Sequence, residues 1–326
     1  MSAEVFSGLV RLDKPPGMTS HDVVLEARRR LASPGAGHLG TLDPPASGLL
    51  LVALGAATRA IPVWTALDKI YEARLRFGVT TTTQDLAGQI VTTADASALD
   101  EPTVRQAALG LLGKIQQVPP MVSAIKVRGT RLHQLARRGV EIERAPREVE
   151  VHSWEWRSFE LPEAAFRVRC SSGTYVRTLA HDLGAALGCG AALATLRRTH
   201  IGPWRVEDAV SLDQLAAEPT ERILSRAGVP LDDALASLPS ITVDDAAAAL
   251  IGSGRRPVIA RGLAPLAAGP RSVAIRTLGG RVLALGELLE HADPRLAFAC
   301  PRVVFPWAVR TGAGAEAPAA AVSPGE

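Results

Sequence analysis

The stretch GHLGTLDPPASGLLLVALG, residues 37–55, decides how the chain is read. Its second half, residues 48–54, is an apolar run far too short to cross a membrane. Bounded by glycines, it predicts a strand buried on both faces of a sheet. The first half is a glycine-punctuated loop with one carboxylate, Asp43, directly before Pro44 and Pro45. A residue ahead of proline is pushed out of the helical region, and the second proline stiffens the next residues of the loop. Asp43 is therefore expected on a stiff loop at the mouth of a core strand. Gly37, Gly40 and Gly48 remove side-chain bulk, so a backbone or a ligand can approach closely. Taken by itself, the stretch reads first as an Asx-turn whose aspartate only shapes the loop.

Upstream, residues 8–13 read as a strand running into the turn KPPGMTS, which starts at Lys14. Thr19 or Ser20 is placed to cap a helix over 21–31. Lys14 reads equally as a solvated turn lysine or as a functional one. Downstream, residues 56–67 form a helix interrupted near Pro62. Over 69–79, Tyr71, Ala73, Leu75 and Phe77 alternate with Glu72, Arg74 and Arg76, the period of a half-buried strand. Tyr71 starts its apolar face and on pattern alone is a core or rim tyrosine. TTTTQDLAGQIV, residues 80–91, is a polar connection turning at Gly88, and a helix over 103–112 stops at Gly113.

Residues 117–147 are basic and broken by prolines and glycines, with a short helix over 131–138. They are either a lid for an RNA backbone or a solvated face. Paired strands come next, over 147–160 and 165–170. Then Ser171, Ser172 and Gly173 turn the chain into a helix from Val176, with Leu179, Leu183 and Leu187 at core spacing. Tyr175 and Arg177 lie at its first turn, where an arginine can meet an incoming carboxylate. Residues 194–202 read as a strand with Leu196 buried and Arg197 and Arg198 at its edge. A linker over 231–240 leads to a smaller β module with a helix over 244–251 and a hairpin around Gly279 and Gly280. Residues 311–326 are Ala, Gly and Pro and are expected to be disordered.

Composition bounds the function. Of 326 residues, 47% are hydrophobic and 21% charged, as in a soluble globular protein, and the net charge is only +3. The positive charge comes in arginine clusters, among them Arg28-Arg29-Arg30 and Arg255-Arg256. Arginine suits phosphate through its planar fork of donors, although a GC-rich coding sequence yields the same arginine and alanine. Cys170, Cys189 and Cys300 are widely spaced without a CxxC, which argues against a zinc site and a disulfide framework. No signal peptide or membrane helix is expected, so the protein is expected to be cytoplasmic.

With Asp43, Tyr71, Tyr175, Arg177 and Leu196 placed, the chain resembles the TruB family of tRNA pseudouridine synthases. The matching blocks are DKPPGMTS, GHLGTLDPPASGLL, DKIYEARLRFG, VPPMVSAIKVRG, SSGTYVRTLAHDLG and LRR, in family order over the first two thirds of the chain. The resemblance implies an α+β pseudouridine-synthase fold: a mixed, largely antiparallel central sheet flanked by helices, plus a small PUA-like RNA-binding domain. It divides the chain into a catalytic domain over 1–235 with a basic lid near 117–147, a PUA-like domain over 240–310, and the tail. It implies isomerisation of uridine 55 in the T-loop of tRNA. The aspartate matching Asp43 is the essential catalytic residue, Tyr71 stacks on the uracil, and Arg177 pairs with the aspartate. Tyr175 and Leu196 wall the base pocket, while His38 and Lys14 lie against the RNA or support the loops. No cofactor, metal or obligatory protein partner is implied, and a monomer is expected. The family often has aromatics where this chain has Val122 and His133. Two competing readings are a non-catalytic RNA-binding protein on the same scaffold and a synthase acting on other RNAs within a larger complex.

Overall fold

The computed structural model describes residues 6–123, 126–127, 130–132, 139–140, 142–260 and 273–310. The expected tail over 311–326 and, beyond its first two residues, the helix over 131–138 lie outside the described residues.

The apolar run becomes β3 (Ser47–Leu54), which pairs antiparallel with β1 (Gly8–Lys14), Lys14 opposite Gly48. β2 (Ala36–His38) also pairs with β3. Alternate residues of a strand face opposite ways, and β3 fills two cores accordingly. Leu49, Leu51 and Ala53 pack with Leu9, Trp64 and Ile201, whereas Leu50, Val52 and Leu54 pack with Val10, Leu12 and Val24. Each leucine so buried stabilises the fold by about 1.5–3 kcal/mol. This strand is buried on both faces, as its composition predicts.

Between β1 and β2 lies α1 (Ser20–Arg30), whose N-cap is Thr19: its hydroxyl accepts from the Asp22 amide, and the Asp22 carboxylate accepts from the Thr19 amide. After β3, a turn leads to α2 (Ile61–Thr65), with Pro62 in the first helical turn, where its missing N–H is not needed. β4 (Lys69–Phe77) points Tyr71, Ala73, Leu75 and Phe77 into one core. β5 (Val79–Thr81) and β6 (Ile90–Thr93) form a small ribbon. α3 (Glu101–Leu109) stops short of Gly113, which instead opens β7 (Gly113–Gln117). β8 (Lys126–Val127) and β9 (Thr130–Arg131) pair within the basic segment.

The long pair β10 (Arg147–Glu160) and β11 (Glu163–Cys170) precedes α4 (Val176–Ala186) and β12 (Ala191–Ile201). α4 buries Val176, Leu179, Ala180 and Leu183 in the core that β4 and β11 share. β13 (Trp204–Arg205), β14 (Val210–Ser211) and β15 (Gly228–Pro230) complete the sheet. Its main path runs β14-β1-β3-β12-β4-β11-β10-β7. The β1–β14 and β3–β12 pairs are parallel and the others antiparallel. The sheet is thus mixed and largely antiparallel, as expected.

Two expectations are corrected. β12 is no edge: it lies between β3 and β4, and Arg198 is 1% exposed. The segment over 231–240 is not a free linker either. It starts with the helix Leu231–Ala234, and Leu231, Ala234 and Leu235 are buried in the core of Leu9 and Trp64. Ala274, Val282, Leu285 and Phe305 join that same core from the second sheet, so the smaller module is docked on the larger. That sheet holds β16 (Ser240–Val243), β17 (Val258–Ala260), β18 (Val273–Thr277), β19 (Val282–Glu290) and β20 (Leu296–Val304), in the order β16-β18-β19-β20-β17.

Candidate active site

The loop carrying Asp43 is clamped from beneath. The Ser20 hydroxyl accepts from the Leu42 amide at 2.8 Å and donates to the Leu42 carbonyl at 3.0 Å. The amide of Gly17 donates to the Pro44 carbonyl at 2.8 Å, and that of Ala46 to the Asp43 carbonyl at 3.0 Å. Lys14 is fully buried, not solvated. Its Nζ donates to the carbonyls of Pro15, Pro44 and Ala46 at 2.8, 3.2 and 2.7 Å. Burial lowers the Lys14 pKa to about 8, with the Asp43 charge acting against the shift.

Across from this loop stands the first turn of α4. Its N-cap, Tyr175, is gripped through the backbone by the buried Gln117, which donates to the Tyr175 carbonyl at 3.1 Å and accepts from its amide at 2.7 Å. Arg177 is buried and engages all three guanidinium nitrogens. Nε meets Asp43 Oδ2 at 3.0 Å, Nη2 donates to the Val122 carbonyl at 2.9 Å, and Nη1 donates to the Thr83 carbonyl at 2.8 Å. Nη1 also lies 3.5 Å from Asp85 Oδ2. Burial pushes the Asp43 carboxyl above the usual carboxylate range. Arg177 opposes that shift, Asp85 adds to it, and Lys14 opposes it.

Asp43, Tyr71, Tyr175, Arg177 and Leu196 line one cleft of about 440 Å³, a volume in the range of small-molecule sites. Its floor comes from two neighbouring strands, with Leu196 opposite Ala73 and Arg198 opposite Tyr71. Leu196 is only partly buried, which leaves an apolar surface open to a ligand. Burial raises the pKa of both Tyr71 and Tyr175, keeping both phenols neutral near pH 7. Two expected residues do not line the cleft: His38 sits in β2 opposite Val52, and Lys14 lies under the loop. A slightly larger cleft, about 500 Å³, lies at the far end of β4. Its one carboxylate, Asp95, is exposed and bonded to Ser97, so volume alone does not mark the site.

Several residues of the site are not apparent from the sequence pattern. Gln84 and Asp85 belong to the polar connection, which folds against β12 and α4. Gln84 has φ +64° and accepts from the Thr178 hydroxyl at 2.8 Å, while Asp85 reaches Arg177. Lys69, Gln117 and Arg198 are polar side chains buried in strands, where alternation predicts only polarity outward. Among the described residues, no group of three or more His, Cys, Asp or Glu converges as metal ligands would, and no helix is long and apolar enough to cross a membrane.

Two family models match the chain. One, described as TruB family pseudouridylate synthase (N terminal domain), covers residues 28–176, and the other, tRNA pseudouridylate synthase B C-terminal domain, covers 177–236. The chain is 46% identical over 286 residues to tRNA pseudouridine synthase B of Aromatoleum aromaticum, covering 87% of this chain and 89% of that one. It is 48% identical over 261 residues to the protein of the same name from Symbiobacterium thermophilum, covering 79% and 85%. A chain in the crystal structure of a Cbf5-Nop10-Gar1 complex superposes with a TM-score of 0.71 at 31% identity, over 93% of this chain and 86% of that one.

Proposed function

Since the chain belongs to the TruB family of pseudouridylate synthases, we propose that it isomerises uridine 55 in the T-loop of tRNA to pseudouridine, with Asp43 as the essential catalytic carboxylate. It has the pseudouridine-synthase fold and is an isomerase of tRNA uridine. One observation carries the finer reading. Asp43 keeps an open side toward a base-sized cleft while the buried Arg177 holds its other side at 3.0 Å.

The chemistry suits these groups. A uridine stacked in a loop is out of reach, so it is flipped out at a cost of a few kcal/mol. Stacking on the Tyr71 ring returns about 1–3 kcal/mol. The C1′–N1 bond then breaks, the base turns, and a C1′–C5 bond forms. The proton leaving C5 is matched by the one gained at N1, so no co-reactant is consumed. Asp43 acts either as nucleophile at C1′ or as the base that takes the 2′ proton to give a glycal. Both roles need the ionised carboxylate, which burial disfavours and the Arg177 charge favours.

In this reading, residues 1–235 do the chemistry, 117–147 close over the RNA, and 240–310 form a PUA-like RNA-binding unit. The enzyme works as a cytoplasmic monomer without an obligatory protein partner. Pure protein incubated with an unmodified tRNA transcript is expected to yield pseudouridine at position 55. A transcript left unmodified, or modified only elsewhere, overturns the assignment.

A further inference from the structure

The floor of the cleft contains a charged group for which the isomerisation chemistry has no direct use. Arg198 is 1% exposed, and its position is set by both neighbouring strands. In register it faces Tyr71 of β4 on one side and Gly48 of β3 on the other. A Cβ at Gly48 would lie 2.3 Å from the Arg198 carbonyl oxygen and 2.7 Å from its nitrogen, so only glycine lets the two backbones come so near. The β12–β4 register shifts just after Arg198, the kind of irregularity that re-aims a side chain.

The guanidinium has two hydrogen-bond partners. Nε donates to the Leu49 carbonyl at 2.8 Å and Nη2 donates to the Gly40 carbonyl at 3.1 Å, and the positive charge acts on the hydroxyl of Tyr71, its cross-strand neighbour. Gly40 opens the catalytic loop and Leu49 lies in the core strand. One side chain thus ties the loop to the strand, next to the tyrosine. A guanidinium offers donors only. A buried cation beside a phenol draws the oxygen's lone pairs toward itself, so the Tyr71 proton faces away from Arg198. Tyr71 lines the cleft, and the Asp43 charge acts on it from across that space.

We propose that Arg198 is a positioning residue for the reaction: it fixes the Tyr71 ring and turns the phenol O–H into a donor aimed at an acceptor oxygen of the bound uridine. The inference rests on reading this cleft as the uridine site. Arg198 touches no substrate; it acts on the reaction through Tyr71, and its bonds to the Gly40 and Leu49 carbonyls hold the guanidinium in place.

The test combines a signal from the free protein with a kinetic cycle. The chain has two tyrosines, so 13Cζ-tyrosine labelling gives two resonances, assigned with Tyr175→Phe. Arg198→Met is expected to shift the Tyr71 resonance and leave that of Tyr175 in place, whereas general loosening of the fold moves both. With tRNA, Arg198→Met is expected to lower kcat about tenfold or more with little change in KM, and Arg198→Lys to recover part of it. On a Tyr71→Phe background the same change is expected to cost about twofold or less, because interacting residues are not additive. Should Arg198→Met not fold, Arg198→Lys carries the same cycle. An unmoved Tyr71 resonance, or losses that simply multiply in an active enzyme, overturns the inference alone. A wild-type protein that forms no pseudouridine overturns the functional reading and this inference with it.

Discussion

Asp43 and Arg177 meet at 3.0 Å with unequal exposure: the arginine side chain keeps 4% of its surface and the aspartate 34%. The cation is committed to the framework through the carbonyls of Thr83 and Val122, and the anion faces the cleft. Asp43→Asn is therefore expected to lower turnover by about four orders of magnitude while tRNA binding stays within a few-fold. Arg177→Ala removes the cation that Asp43 and Asp85 share. It should cost about 3–5 kcal/mol in denaturant unfolding as well as most of the activity. Substantial pseudouridine from Asp43→Asn would remove the carboxylate from the mechanism.

In the proposed mechanism the same pair sets the pH profile. Burial raises the Asp43 pKa above its ordinary 3.8, and the proposed mechanism needs the ionised form. The rate is expected to fall as pH drops through a midpoint above the usual carboxylate range. Asp85 contributes to the shift, so Asp85→Asn should move that midpoint to lower pH. Stability has the opposite sign. A raised folded pKa favours the folded state at acid pH, and this contribution is lost as pH rises through the folded value. At neutral pH the ionised Asp43 thus costs stability, and Asp43→Asn should melt no lower than wild type. A midpoint that Asp85→Asn leaves in place would show that another group limits the rate.

In the proposed mechanism Tyr71 offers the base a ring face and a hydroxyl, and two substitutions separate them. Tyr71→Leu removes the face and should reduce kcat/KM by about 1–3 kcal/mol of stacking, or roughly 5- to 150-fold. Tyr71→Phe keeps the face and loses only what the phenol adds. Full activity in Tyr71→Leu, measured as pseudouridine formed per minute, would show that stacking is unimportant.

The elements with one plain period are legible in the sequence: β3 by its unbroken apolar run, β4 by strict alternation, and α1 by its cap. The Asp43–Arg177 pair shows only through the family resemblance: patterning alone puts Asp43 on a loop stiffened by Pro44 and Pro45 and Arg177 in the first turn of α4, without joining them. Patterning wrongly puts Arg198 at an edge because it takes a charge to mean solvent. The burial of Arg198 depends on the carbonyls of Gly40 and Leu49, which lie far away in the chain. Asp85 is hidden in a connection whose fold rests on Gln84 at φ +64° and on contacts with Thr178. The segment over 231–240 resembles a linker because nothing local shows that Leu231 and Leu235 share a core with both sheets.

Lys14 gives a prediction at alkaline pH. Its Nζ is the cross-tie between the end of β1 and the loop through Pro44 and Ala46. Its folded pKa is about 8, against an ordinary lysine value of 10.5. Between these values the unfolded chain holds a proton that the folded one has released, so stability rises with pH, by at most about 1.4 kcal/mol per unit for one group. Lys69, lowered to about 8 by burial, acts in the same direction. Lys14→Met should therefore flatten, without abolishing, the rise in denaturant stability between pH 8 and pH 10. It also strips the Pro15 and Ala46 carbonyls of a donor, which loosens the turn that presents Asp43, so kcat should fall even at pH 7. An unchanged slope would mean that the ammonium of Lys14 is not the titrating group. A normal kcat would mean that Ser20 and the two prolines hold the loop without it.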